Sequence, residues 1–273
     1  MRSMDATLSS LAVFVFGVIM GSFLNVLVLR WGTGLGLGKR SFCFSCSKQL
    51  SWYELIPVFS FLVQGGRCRS CKSAISAMYL LVEIATGLLF FFLFLKMGLG
   101  FWWIYIAGML FLLLAIALYD AYHKIIPDPF VYFFVALSFG LLFFRFLSGD
   151  ALSWEFFAGP ALALPFVFLW FVSSGRWMGL GDAKLALGIG WALGFSEGIA
   201  ALLLAFWSGA LWGVMLLAYP YLFHLFTQKK GRTIKSEIPF APFLVLGTFL
   251  AFYFDITLLD IQAFFTFSPP TLF

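Results

Sequence analysis

Eight stretches of mostly apolar residues, near 8–29, 77–95, 101–120, 129–148, 156–174, 183–196, 198–226 and 241–258, follow one another along this chain. A bilayer core takes about 20 such residues per helix. Within lipid, a backbone must satisfy its own N–H and C=O groups, and a helix does so inside a single segment. The pattern therefore predicts an all-α polytopic membrane protein of about eight transmembrane helices. Composition agrees, since 63% of the 273 residues are hydrophobic and 11% are charged. So few charges cannot cover a soluble domain of this size. The first run, Leu11–Leu29, is too long for a signal-peptide core and lacks a small-residue cleavage site, so it reads as a retained signal anchor.

Charge placement predicts the orientation. With the N-terminus outside, the inner segments hold Arg30, Lys39, Arg40, Lys48, Arg67, Arg69, Lys72, Lys124, Arg176, Lys184, Lys229, Lys230, Arg232 and Lys235. Only Arg2, Lys96 and Arg145 fall outside, as the positive-inside rule requires. The net charge of +5 thus belongs to loops between spans. A nucleic-acid partner is not expected, because that basic charge is not clustered on a soluble fold.

The long polar segment 31–76 falls on the cytoplasmic side between the first two spans. It contains Cys43-Phe44-Ser45-Cys46 and, further on, Cys68-Arg69-Ser70-Cys71. Two CxxC pairs at this separation match zinc-ribbon spacing, in which four thiolates close a tetrahedral structural site. A reducing cytosol makes disulfides the weaker reading, with free or redox-active thiols as the alternative.

Two aspartates stand at matching places. Asp120 ends the apolar run Phe101–Tyr119, and Asp182 lies in Met178-Gly179-Leu180-Gly181-Asp182-Ala183-Lys184, where another span begins. The predicted topology puts both on the cytoplasmic side. Ionisable groups at such depth are costly and need a partner or a task. Glycines at 179 and 181 permit a tight turn and a close approach to another chain segment. Asp120 also suits a plain helix end in the interface, and Asp182 an N-cap. Asp128, followed by Pro129, reads as an ordinary N-cap with proline at the first helical position. Two carboxyls about 3 Å apart cannot both ionise, so such a pair would supply a base and an acid together. Asn25 is a polar group inside a span, open to a packing or a substrate role. Glu83 is open to a packing role by ion pairing or, as the family resemblance set out next implies, to a part in substrate or methyl-donor handling. His224 reads as an interfacial residue.

Gly179-Leu180-Gly181-Asp182 resembles the GxGD motif of intramembrane aspartyl proteases. Asp120 with Ile126-Pro127-Asp128 resembles the first-aspartate block of bacterial type IV prepilin peptidases. The resemblance extends through Gly21-Ser22-Phe23-Leu24-Asn25-Val26, Trp52–Cys71, Tyr79–Glu83 and Ile238-Pro239-Phe240-Ala241-Pro242. Phe44 stands where that family has proline, Glu54-Leu55 where it has an acidic-Asn pair, and Ala241 where it has glycine.

The resemblance implies a membrane aspartyl endopeptidase of the bacterial inner membrane, acting on prepilins or pseudopilins from its cytoplasmic face. It implies Asp120 and Asp182 as the catalytic pair, with Gly179, Gly181 and Lys184 in support. It also implies methylation of the new N-terminus with S-adenosylmethionine as donor. The expected organisation is a first helix at 1–30, a zinc-binding and methyltransferase domain at 31–76, bound by Cys43, Cys46, Cys68 and Cys71, and a peptidase domain at 77–273. The rival reading is a transporter or scaffold whose two aspartates bind cations.

Overall fold

A computed structural model describes residues 2–34, 36–150, 152–223 and 239–266. His224, Lys229, Lys230, Arg232, Lys235 and Ile238 lie outside the described residues. The described chain is helical, with two isolated β-bridges and no longer strand among the described residues. It divides into two compact units at Phe111/Leu112.

The first unit is built on α1 (Arg2–Arg30) and α3 (Ala77–Met97), which pack on one another. Gly17 and Gly21 make that contact possible. A Cβ on Gly17 would stand 2.9 Å from the Gly87 Cα, and one on Gly21 would stand 2.8 Å from the Glu83 Cα. Membrane helices have no hydrophobic drive to associate, so small residues spaced four apart let the backbones approach. Between these helices lies the cysteine segment, with a 3₁₀ turn at Trp52–Leu55 and the short α2 (Phe59–Val63). The unit ends in the first part of α4 (Phe101–His123), where the Trp103 ring meets Phe90 edge-on at 5.5 Å.

The second unit takes the rest of α4, then α5 (Asp128–Leu147), α6 (Ala158–Ser173), α7 (Leu180–Leu193), α8 (Phe195–Phe223), α9 (Ala241–Phe254) and α10 (Leu258–Thr266). Its organising element is α7, which contacts α5, α6, α8 and α9. Ala183, Leu185, Ala186, Ile189 and Gly190 on α7 are buried. The Phe134 ring fills the space a side chain on Gly188 would need, and the backbone at Ala158 and Gly159 does so at Gly190. Gly194, at φ +82°, ends α7 and separates it from α8.

Six helices among the described residues are long and apolar enough to cross a membrane. A seventh span results if α9 and α10, bent by 92°, are counted as one. The eighth apolar stretch of the sequence is α7. Its 14 residues give it a length of about 21 Å, short of a core of about 30 Å. Other helices enclose it, and its polar first turn therefore sits within the unit.

Candidate active site

Asp120 occupies the last turn of α4 and Asp182 the first turn of α7. Both are buried, at 6% and 8% exposure. They are close enough for charge on one carboxyl to act on the other. Asp182 is not the N-cap, which is Gly179; it is the third helical residue, and its carboxyl draws on the Gly179 backbone N–H. The Asp182 Oδ1 has no hydrogen-bond partner. Asp120 Oδ2 accepts the backbone N–H of Ala241 at 3.2 Å. Ala241 opens α9, where N–H groups lack partners within the helix, so one of these free donors is spent on the aspartate.

The link between the two acids is the short return after α4. Lys124 donates its N–H to the Asp120 carbonyl at 2.7 Å and adopts φ +55°, turning the chain back at once. Ile126 then passes against the start of α7. A Cβ on Gly181 would stand 2.8 Å from the Ile126 Cβ, so only glycine lets loop and helix meet here. Gly179 has no such need: its φ is −80°, and the nearest atom to an added Cβ is 3.8 Å away.

Asp128 departs from the N-cap expected of it. The Pro127 carbonyl accepts the first helical N–H groups, from Phe130 and Val131, so Pro127 is the N-cap of α5 and Asp128 the first helical residue. The Asp128 carboxylate instead pairs with Lys184 at 2.6 Å, and the Lys184 ammonium lies 4.8 Å from the Tyr132 ring centre. A pair this exposed contributes roughly 0–1 kcal/mol. Its effect is positional, since it ties the start of α5 to the start of α7 just beyond the aspartates.

The cysteine segment forms two like turns. Cys43 N–H donates to the Lys48 carbonyl and Ser47 N–H to the Cys43 carbonyl; Cys68 N–H donates to Ser73 and Lys72 N–H to Cys68. Ser47 and Lys72 both take positive φ, at 57° and 58°. Each CxxC pair is thus folded back on itself, and the two turns face one another. The four Sγ atoms lie within 4.8 Å of each other, with Cys43 and Cys71 at 3.8 Å. A tetrahedral site with metal–sulfur bonds of about 2.3 Å has edges of about 3.8 Å. All four cysteines are free of disulfides. Backbone N–H groups of Cys46 and Ser45 hold the Cys43 thiol down at about 6. The Lys48 backbone N–H pulls Cys46 down, but desolvation and the sulfurs of Cys43 and Cys71 push it up to about 11. Four crowded sulfurs resist full ionisation unless a cation sits among them. The group is therefore a place where a metal ion can bind.

Asn25 and Glu83 lie together in the first unit, both buried. Glu83 Oε2 accepts the Val58 N–H at 2.7 Å and makes no ion pair among the described residues. Of the roles open to it, ion pairing is not seen among the described residues; Glu83 holds the Val58 backbone and the Ser22 side chain instead. Sequence reasoning missed the role of Ala241, whose only local signal is its place before Pro242 at a helix entry, and the burial of Glu54, at 7% exposure.

Comparison with known proteins adds to this geometry. The bacterial peptidase A24 N-terminal domain matches residues 15–97, a range that holds the four cysteines, Asn25 and Glu83. The type IV leader peptidase family matches residues 106–214, which include Asp120 and Asp182. A prepilin leader peptidase/N-methyltransferase of Bacillus subtilis is 30% identical over 243 residues, covering 88% of this chain and 92% of its own. One from Pseudomonas aeruginosa is 33% identical over 274 residues, covering 88% and 89%. No solved structure matches the chain significantly. Similarity of this extent, running through both units and both groups of site residues, makes the chain a member of the type IV leader peptidase family.

Proposed function

We propose that Asp120 and Asp182 are the catalytic pair of a membrane aspartyl endopeptidase that removes the leader from type IV prepilins or pseudopilins. The observation that carries this reading is the burial of two carboxyls at the end of α4 and the start of α7, segments that Ile126 and Gly181 bring into contact, with one oxygen held by Ala241 N–H and another, Asp182 Oδ1, free of any partner. Charge placement favours the cytoplasmic face of the inner membrane, with the N-terminus outside. A substrate with a cytoplasmic leader and a membrane-embedded helix would present its scissile bond at that level.

The chemistry requires one proton between the two carboxyls. The ionised one takes a proton from a water molecule as the water oxygen bonds to the scissile carbonyl carbon. The other gives its proton to the carbonyl oxygen. In the collapse of this tetrahedral intermediate a hydroxyl returns its proton to the carboxylate that had protonated the carbonyl oxygen, the C–N bond breaks, and the departing amine leaves with the proton taken from water. Gly181, Lys184 and Asp128 act by holding the start of α7 against the return after α4.

Residues 77–273 would carry this peptidase chemistry, and residues 31–76 a structural zinc ion on Cys43, Cys46, Cys68 and Cys71. The spacing of the sulfurs suits zinc, and a four-thiolate site leaves no open coordination position. The names of the relatives support a second step, N-methylation of the freed amine with S-adenosylmethionine. The test is intact-mass analysis of a prepilin co-expressed with this protein. Loss of the leader and a gain of one methyl are expected from the wild type; an unprocessed prepilin would refute the reading.

A further inference from the structure

Peptide cleavage uses none of the polar groups buried in the first unit. Asn25 on α1 and Glu83 on α3 line a cavity of about 410 Å³, walled on its other sides by the cysteine segment, with Glu54, Phe42 and Phe61 among its lining. Sites for small organic ligands begin at about this size and combine apolar walls with a few placed polar groups.

The polar groups set the chemistry of an occupant. Glu54 Oε2 accepts the Ser51 N–H at 2.9 Å and Glu83 Oε2 the Val58 N–H at 2.7 Å. These backbone donors, and the Ser22 side chain at Glu83, orient the acids but do not neutralise them. Among the described residues, no lysine or arginine pairs with either. Arg30, the one basic residue of the wall, gives its guanidinium to the carbonyls of Gly36, Leu37 and Lys39. Two buried acids without a counter-charge call for a cation. Asn25 adds a second requirement. It is 3% exposed, its Nδ2 donates to the Tyr79 carbonyl at 3.2 Å, and its Oδ1 has no partner. A buried acceptor left this way calls for a donor.

We infer that this cavity is the S-adenosylmethionine site, with Glu54 and Glu83 supplying the counter-charge for the donor's cationic end and Asn25 Oδ1 an acceptor for one of its N–H or O–H groups. The donor carries a sulfonium and an ammonium against a single carboxylate, hence a net positive charge, together with hydroxyl and amine donors and an aromatic base suited to the Phe42 and Phe61 walls. The inference rests on the methyl-transfer part of the proposed function. The cavity's border with the cysteine segment explains why a closed metal site would belong there: a bound metal holds that wall in shape.

Direct binding tests it. Full-length protein in detergent is titrated with labelled S-adenosylmethionine and, separately, with S-adenosylhomocysteine, whose sulfur is neutral. Glu83→Gln and Glu54→Gln keep an oxygen for the Val58 and Ser51 N–H groups, so folding is spared; metal content and melting temperature verify this. Each substitution is expected to weaken the sulfonium ligand roughly tenfold and the neutral one less. Ultraviolet cross-linking of the bound donor is expected to label peptides within 22–83. Unchanged affinity in both variants, or label confined to 112–266, overturns the assignment. So does a variant that loses affinity for a peptide with the processed pilin's free amine while keeping affinity for the donor. Wild type that methylates pilin but labels only outside the cavity refutes the site and leaves the proposed function standing. Wild type that cleaves but neither binds the donor nor methylates refutes methyl transfer, and the site with it.

Discussion

The carboxylate of Asp120 accepts the backbone N–H of Ala241 at 3.2 Å, joining the last turn of α4 to the first residue of α9 across most of the second unit. One oxygen of the acid is fixed in direction by a main-chain donor that side-chain motion cannot withdraw. Asp182, by contrast, keeps Oδ1 without a partner. The proposed pair therefore combines one anchored carboxyl and one with an oxygen free for water or substrate.

Asp120→Asn and Asp182→Asn are each expected to abolish leader removal while leaving metal content unchanged. The double variant should be no worse than either single one, because residues that act as a unit lose their contribution together. Cleavage assays on purified variants check this, and substantial turnover by either single variant would count against the assignment. Asp128→Asn, which weakens only the exposed pair with Lys184, should cost at most about 1 kcal/mol of stability and retain most activity.

The two glycines of the motif should behave differently. Gly181→Ala drives a methyl group to 2.8 Å from the Ile126 Cβ, so loop or helix must move. Such overpacking costs about 1–3 kcal/mol, and the displacement should reduce cleavage at least tenfold in kcat. Gly179→Ala meets nothing closer than 3.8 Å and should retain most of its rate. Equal losses in both variants would show that steric contact with Ile126 is not what matters.

The purified protein should carry about one zinc ion per chain, lost on replacing Cys46 and Cys71 by serine. Acid should release it. In the metal-free protein the Cys43 thiol is held down at about 6 from its ordinary value of 9.0. For a group lowered on folding, the stabilisation is present above the ordinary value and is lost as pH falls through the folded one. Bound metal competes with protons and can only lower that threshold. Cys46, pushed up by desolvation and the neighbouring sulfurs, ionises only with a cation beside it, so the four thiols set a direction and no single threshold: retention at neutral pH and loss on acidification, which metal analysis after equilibration across the acid range tests. Release on raising the pH instead would exclude thiolate ligation.

Methyl transfer should fail before cleavage when the cysteine segment is damaged. Cys68 and Cys71 belong to the first unit, whereas Asp120, Asp182 and Ala241 all belong to the second. Intact-mass analysis of pilin processed by a Cys68→Ser, Cys71→Ser variant should find the leader removed and the methyl absent. Loss of both activities together would show that the segment is also needed for folding or for docking the substrate.

Much of this protein was legible in its residues because the signals are local. A run of apolar side chains long enough to span lipid states its environment wherever it packs, and a CxxC pair carries its own turn. The same kind of reasoning reached Asp120 and Asp182 through their place at the ends of apolar runs.

Tertiary structure decided what local pattern could not. That Asp128 faces Lys184 instead of capping its own helix depends on where α7 lies relative to α5. That Ala241 serves Asp120 depends on α9 returning to the end of α4. The length of α7 was readable, but its enclosure by neighbouring helices was not. Asn25, Glu54 and Glu83 read singly as polar residues among apolar ones; only the packing of α1, α3 and the cysteine segment leaves them around one cavity. The physical reason is common to all of these. A donor, a counter-charge or an empty volume is a property of groups far apart in the chain, and periodicity along the chain reports only which face of an element is apolar, not what it meets.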